Sequence, residues 1–158
     1  MKITLLLTGK TTESFVKEGF LIFEKRIKHA VPFETIIIPD IPSSKKQNPA
    51  QVKEKEADIQ LKYIKENDFV VLLDENGREF RSIEFADFLQ KQMNSSVKNL
   101  FFLVGGPYGF SERIYNRANA KISLSKMTFS HQIIRLLFME QLYRAFSIIR
   151  NEPYHHEG

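Results

Sequence analysis

The 158-residue chain contains no cysteine. That excludes disulfides, thiolate metal sites and cysteine nucleophiles. No apolar run approaches the roughly 20 residues that a membrane-spanning helix needs. Met1 to Thr8 is a short apolar run with one lysine, without the layout of a secretory signal. No internal repeat, low-complexity tract or dividing linker is visible. What is present is an ordinary globular composition, with 42% hydrophobic and 27% charged residues. The length is enough to bury a core without staples. The expectation is a soluble, cytoplasmic protein with one domain spanning 1–158.

Charge is mildly unbalanced, with 23 basic against 19 acidic groups and a net charge of +4. The excess gathers in residues 111–158, which carry 7 basic and 4 acidic groups. Such a balance tolerates a polyanionic partner without establishing one.

Apolar runs alternate with helical spacing about five times along the chain. Ile3–Thr8, Phe33–Ile38, Phe69–Leu73, Asn99–Val104 and Lys121–Ser125 read as strands. Ser14 to His29, Ala50 to Lys65, Ser82 onward, Ser111 to Ala118 and Ser130 to Arg150 read as helices, with Ser82 and Ser111 as N-caps. Asp40 to Pro49 reads as a loop, and Asn76-Gly77 as a turn. This alternation predicts an α/β fold, a mainly parallel sheet with helices on both faces.

Four segments carry candidate chemistry. Gly105-Gly-Pro-Tyr-Gly109 follows a buried strand, where open α/β sheets bind ligands. Its glycines admit close approach to the backbone. It lacks the spacing and the lysine of a nucleotide phosphate loop, and a plain strand-to-helix turn is an equal reading. Leu124–Phe129 mixes small hydroxyls with apolar side chains, as a small-molecule pocket does, or as a core-packed loop does. The polar side of the last helix presents His131, Arg135, Glu140 and Arg144. Glu140 and Arg144 are spaced to pair, and the basic helix start is placed to contact phosphate or to lie at the surface. The tail, Pro153-Tyr-His-His-Glu157, is too aromatic to read as filler. Adjacent His155 and His156 have poor geometry for chelating one ion, so no metal is expected.

Together these motifs are more specific than any one of them. Lys2-Ile-Thr-Leu5, Leu72-Leu73-Asp74, Phe102–Gly109, Leu124–His131, Glu140–Ala145 and Pro153-Tyr-His155 occur in one order across the chain. The combination closely resembles the RlmH, or YbeA-like, family of SPOUT-class RNA methyltransferases. The resemblance implies a C-terminal trefoil knot, a rare exception to chain-threading rules. It implies a homodimer that binds S-adenosylmethionine in the knot. It implies methylation of N3 of a pseudouridine in helix 69 of 23S ribosomal RNA on the assembled ribosome. Carried over by motif, the donor contacts are Leu73, Gly105, Leu124, Ser125, Lys126, Met127, Thr128 and Phe129. The RNA-side and catalytic residues are His131, Arg144, Tyr154 and His155. Ser130 stands where proline is common in the family, and His156 where a basic residue is common. Two other readings stay open: the same scaffold acting on another RNA such as a transfer RNA, and a non-catalytic ribosome-binding factor.

Overall fold

A computed structural model describes residues 1–42 and 47–156. Of the expected loop Asp40–Pro49, Ser43 to Lys46 lie outside the described residues. The order is β1 (Lys2–Thr8), α1 (Ser14–Lys28), β2 (Phe33–Ile38), α2 (Pro49–Tyr63), β3 (Phe69–Glu79), α3 (Ser82–Asn94), β4 (Asn99–Val104), α4 (Glu112–Arg117), β5 (Ala120–Ser123) and α5 (Ile133–Ile149). The five strands form one sheet, β2-β1-β4-β3-β5, and every pairing is parallel.

Alternation along the strands divides the core. Ile3, Leu5, Leu7, Leu100, Phe102 and Val71 face a layer containing Phe20 and Ile27 of α1, Phe85 and Leu89 of α3, and Phe138 and Leu142 of α5. Leu6, Leu72, Phe101 and Leu103 face the other way, onto Ala57 of α2 and Ile114 of α4. Both faces are covered, which is why these strands read as continuous apolar runs. Phe102 meets Phe138 at 4.8 Å between ring centroids, anchoring α5 over the middle of the sheet.

Three local expectations are corrected. Asn76-Gly77 is not a turn, because β3 runs through it to Glu79 and pairs again with β5 after an irregularity between Leu73 and Arg78. A Cβ on Gly77 would lie 2.6 Å from the Ile122 amide nitrogen, so glycine here permits the close approach of β5. Ser82 is the first residue of α3 rather than its cap. The cap is Arg81, whose amide donates to Glu84 Oε2 at 2.7 Å. The Ser82 hydroxyl instead donates to Gln141 Oε1 at 2.8 Å, tying α3 to α5. The last helix begins at Ile133 rather than Ser130, and the Ser130 hydroxyl accepts from the Ile133 amide at 3.1 Å.

Candidate functional site

The C-terminal ends of β3, β4 and β5 open onto a cleft of about 550 Å³. Leu73 ends the apolar part of β3, and Gly105 to Phe110 form one wall. The Gly109 amide donates to the Gly106 carbonyl at 3.1 Å, and Gly109 takes a positive φ of 79°. A Cβ on Gly105 would sit 3.3 Å from the Gly109 backbone and the Phe110 ring. A Cβ on Gly106 would sit 2.7 Å from Glu56 Oε1. Each glycine is favoured for its own reason: Gly105 by close backbone, Gly106 by the Glu56 carboxylate and Gly109 by its positive φ.

The opposite wall is the segment after β5. Ser123 Oγ donates to the Ser125 carbonyl at 2.7 Å, and the Met127 amide donates to Ser125 Oγ at 3.0 Å. Thr128 Oγ1 donates to Glu75 Oε2 at 3.2 Å, pinning this wall to the end of β3. Leu124, Ser125, Met127, Thr128 and Phe129 line the cleft as expected. Lys126 does not line it, and its side chain is exposed. His131 lines it from the turn before α5.

Sequence reasoning missed three further groups here. Asp74 accepts from the Tyr115 hydroxyl and from the Asn76 amide. Burial, then the bond to Asp74, pushes the Tyr115 phenol above its ordinary value, so it stays a donor. Glu56 of α2 is only 4% exposed and sits against Gly106. Burial and the nearby Asp40 raise its carboxyl to about 7. The position of Asp74 at a strand end was a usable signal. Glu56 and Tyr115 reach the cleft region from helices on the other face, which no local pattern reveals.

Arg135 corrects another expectation. It is 0% exposed, not at the surface and not free to meet phosphate. Its guanidinium donates to the carbonyls of Thr8 (2.8 Å), Gly9 (2.8 Å) and His131 (3.0 Å) and to Thr11 Oγ1 (3.0 Å). Beside it, Gln132 donates to the Lys10 carbonyl and accepts from the Thr12 amide. The start of α5 thus clamps the loop that follows β1.

A second cluster lies on the far half of α5. Helix α5 ends at Ile149 with Arg150 as its C-cap, and Asn151 just beyond takes a left-handed φ of 58°, a conformation that asparagine tolerates. The Glu152 amide returns to the Ser147 carbonyl at 2.8 Å. This reversal lays the tail back along the helix. Glu140 Oε1 accepts from Arg144 Nε at 3.0 Å and from the Tyr154 hydroxyl at 3.1 Å. Gln141 Nε2 donates to Glu140 Oε2 at 2.8 Å. The Arg144 guanidinium lies 4.7 Å from the Tyr154 ring centroid, and Nη1 is 3.3 Å from His155 Nδ1. Arginine only donates, so Nδ1 accepts, and the neutral imidazole carries its proton on Nε2. That Nε2 is buried without a partner. Burial first, then Glu140, raises the Tyr154 phenol, while Arg144 and Arg26 pull it back.

The structure brings together Arg144, Tyr154 and His155, with Glu140 at their centre. It leaves His131 in the other region, at the cleft. Among the described residues, no group of three or more His, Asp or Glu could hold a metal ion, and no helix is long and apolar enough to cross a membrane.

A family model described as "Predicted SPOUT methyltransferase" matches residues 1–155. The chain is 53% identical to "Ribosomal RNA large subunit methyltransferase H" of Parabacteroides distasonis, over 99% of this chain and 100% of that protein. It is 52% identical to the protein of the same name from Christiangramia forsetii, over 99% of each. Among solved structures it resembles a probable methylase family protein from Haemophilus influenzae, with a TM-score of 0.56 and 13% identity. That match covers 94% of this chain and 66% of the longer one, and it supports the fold alone.

Proposed function

The chain belongs to the SPOUT methyltransferase family, and from that premise we propose that it methylates N3 of a pseudouridine in helix 69 of 23S ribosomal RNA, on the assembled ribosome in the cytoplasm. The reading rests on whole-length identity of about half to proteins named for methylating large-subunit ribosomal RNA. The proposed donor is S-adenosylmethionine, bound in the cleft of a single domain spanning 1–158. The cleft suits it. Its volume is in the range of small-molecule sites. Gly105, Gly106 and Gly109 line it and leave its backbone open to close approach by a ligand. Leu124 and Phe129 offer apolar walls, and Asp74 and Glu75 offer carboxylates to a cationic ligand. The proposed contacts are Leu73, Gly105 and residues 124–129, with Lys126 contributing through its backbone.

When bound, this donor supplies a methyl already activated on a sulfonium. The protein's tasks are placement and removal of the imide proton. Tyr154 orients the base by stacking, while Glu140 fixes Arg144 and Tyr154. His155 takes the N3 proton at Nδ1. For that, Arg144 Nη1 must leave Nδ1, and its 3.3 Å contact is long enough to yield easily. The released Nη1 then donates to the neighbouring carbonyl oxygen, where negative charge develops. One shift of Arg144 thus frees the base and stabilises the anion. His131, at the cleft, contacts the RNA from the donor side.

The proposed active unit is a homodimer. Ile134 lines the cleft and Arg144 stands ten residues further along α5, about 15 Å at helical rise. No described residue of the tail lines the cleft of its own chain. Exposed Phe15 and Met127 supply apolar surface for a second copy. The proposed trefoil knot is compatible with the clamp that α5 makes on the β1–α1 loop.

The test is methyl transfer from labelled S-adenosylmethionine to purified ribosomes lacking the modification, with free 23S RNA alongside and the labelled nucleotide mapped. Label on a helix 69 pseudouridine of intact ribosomes is expected. Donor binding without label on ribosomes would redirect the substrate to another RNA, transfer RNA first. Failure to bind the donor would favour a non-catalytic ribosome-binding factor.

A further inference from the structure

We infer that Arg26, on α1, grips a backbone phosphate of the RNA beside the tail cluster. This rests on the RNA-methylating reading above. The Arg26 guanidinium lies 5.4 Å from the centroid of Phe23 and 5.4 Å from that of Tyr143. Two rings hold it in place without using any of its N–H donors. Among the described residues it makes no hydrogen bond and no ion pair, and it is exposed. Other arginines nearby have partners. Arg144 is bound to Glu140, and Arg150 to Glu152 at 2.9 Å.

Arg26 also belongs to the cluster. Tyr143, beneath it, meets Tyr154 edge-on at 4.8 Å, and the charge of Arg26 acts on the Tyr154 phenol. Glu140 and Arg144 pair with each other, whereas Arg26 adds a positive charge beside them with no ion-pair partner among the described residues. A planar guanidinium, held over two rings with its N–H donors unpaired, matches the paired oxygens of a phosphodiester. Such contacts position RNA without reading its sequence. That suits a site where Tyr154 and His155 would handle the base.

The experiment measures binding to large ribosomal subunits across a salt series for the parent, Arg26→Gln and Arg26→Lys, with donor binding measured in parallel. Arg26→Gln is expected to make the slope of log affinity against log salt shallower by about 0.7–0.9. Arg26→Lys should stay close to the parent slope, and donor affinity should be equal in all three. An Arg26→Gln slope equal to the parent's overturns the inference, and so does an Arg26→Lys slope as shallow as that of Arg26→Gln, because then the ring contact and not the charge is what matters. A parent that binds subunits with no salt dependence overturns the RNA reading itself, a result distinct from either.

Discussion

The cleft and the tail cluster are built from different materials. The cleft is shaped largely by backbone: glycines at 105, 106 and 109, a turn closed between Gly106 and Gly109, and a hydroxyl-pinned segment over 123–128. The tail cluster is side chain throughout, with one carboxylate, Glu140, receiving Arg144, Tyr154 and Gln141. Backbone shape suits holding a small molecule that never varies. Side-chain networks suit moving protons and charge. α5 links the two regions, with its buried Arg135 at one end and Arg144 near the other.

Perturbing each region separately would sharpen or break this contrast. The largest effect is expected in the cluster. His155→Ala should lower turnover by about 10²–10⁴-fold with donor affinity unchanged. Equal turnover would remove His155 from the chemistry. Glu140→Gln should follow with a smaller loss in kcat, again with donor affinity preserved, read by single-turnover kinetics and calorimetry.

Next is the link. Arg135→Met leaves the carbonyls of Thr8, Gly9 and His131 without their donor. A loss of about 3–5 kcal/mol is expected in urea unfolding, from several charge-assisted bonds removed at once. Little loss would mean that the clamp on the β1–α1 loop is replaceable.

The cleft comes third. Gly106→Ala drives a Cβ toward Glu56 Oε1, and about tenfold weaker donor binding is expected, near 1.4 kcal/mol. Turnover at saturating donor should fall less. An equal fall in both would blur the distinction between regions.

The smallest effect concerns pH. The Glu56 carboxyl stands at about 7 in the fold, against an ordinary 4.5. The unfolded chain releases this proton near 4.5, while the folded chain keeps it to about 7. Stability therefore falls as pH rises through that window and is level above it. Glu56→Gln should raise the thermal midpoint by a few degrees at pH 8 and leave it unchanged at pH 4.5. Equal shifts at both values would rule out titration as the cause.

Much of the scaffold was legible because it follows from period and burial. β1 and β4 are continuous apolar runs since both faces are covered, and the bounds of β1, β2 and β4 fall within a residue of expectation. The wall residues after β5 were legible from composition. Asn76-Gly77 misled, because a turn dipeptide also serves where a strand passes close to its neighbour. Arg135 misled for a related reason. Local spacing placed it on a polar helix face, but its side chain alone turns inward, onto the backbone carbonyls of Thr8 and Gly9.

The sequence by itself determined the alternation of strands and helices, the glycine cradle and the chemistry-bearing side chains. Hydrophobic period and glycine's missing Cβ act over a few residues and need no partner. Tertiary structure alone decided which of those side chains meet. The left-handed Asn151 folds the tail onto α5, joining Glu140 and Arg144 to Tyr154 and His155, while His131 stays at the cleft. It also brings Arg26 to Tyr143 and Glu56 to Gly106. These pairings depend on helix packing across a sheet, a long-range geometry that no local pattern encodes.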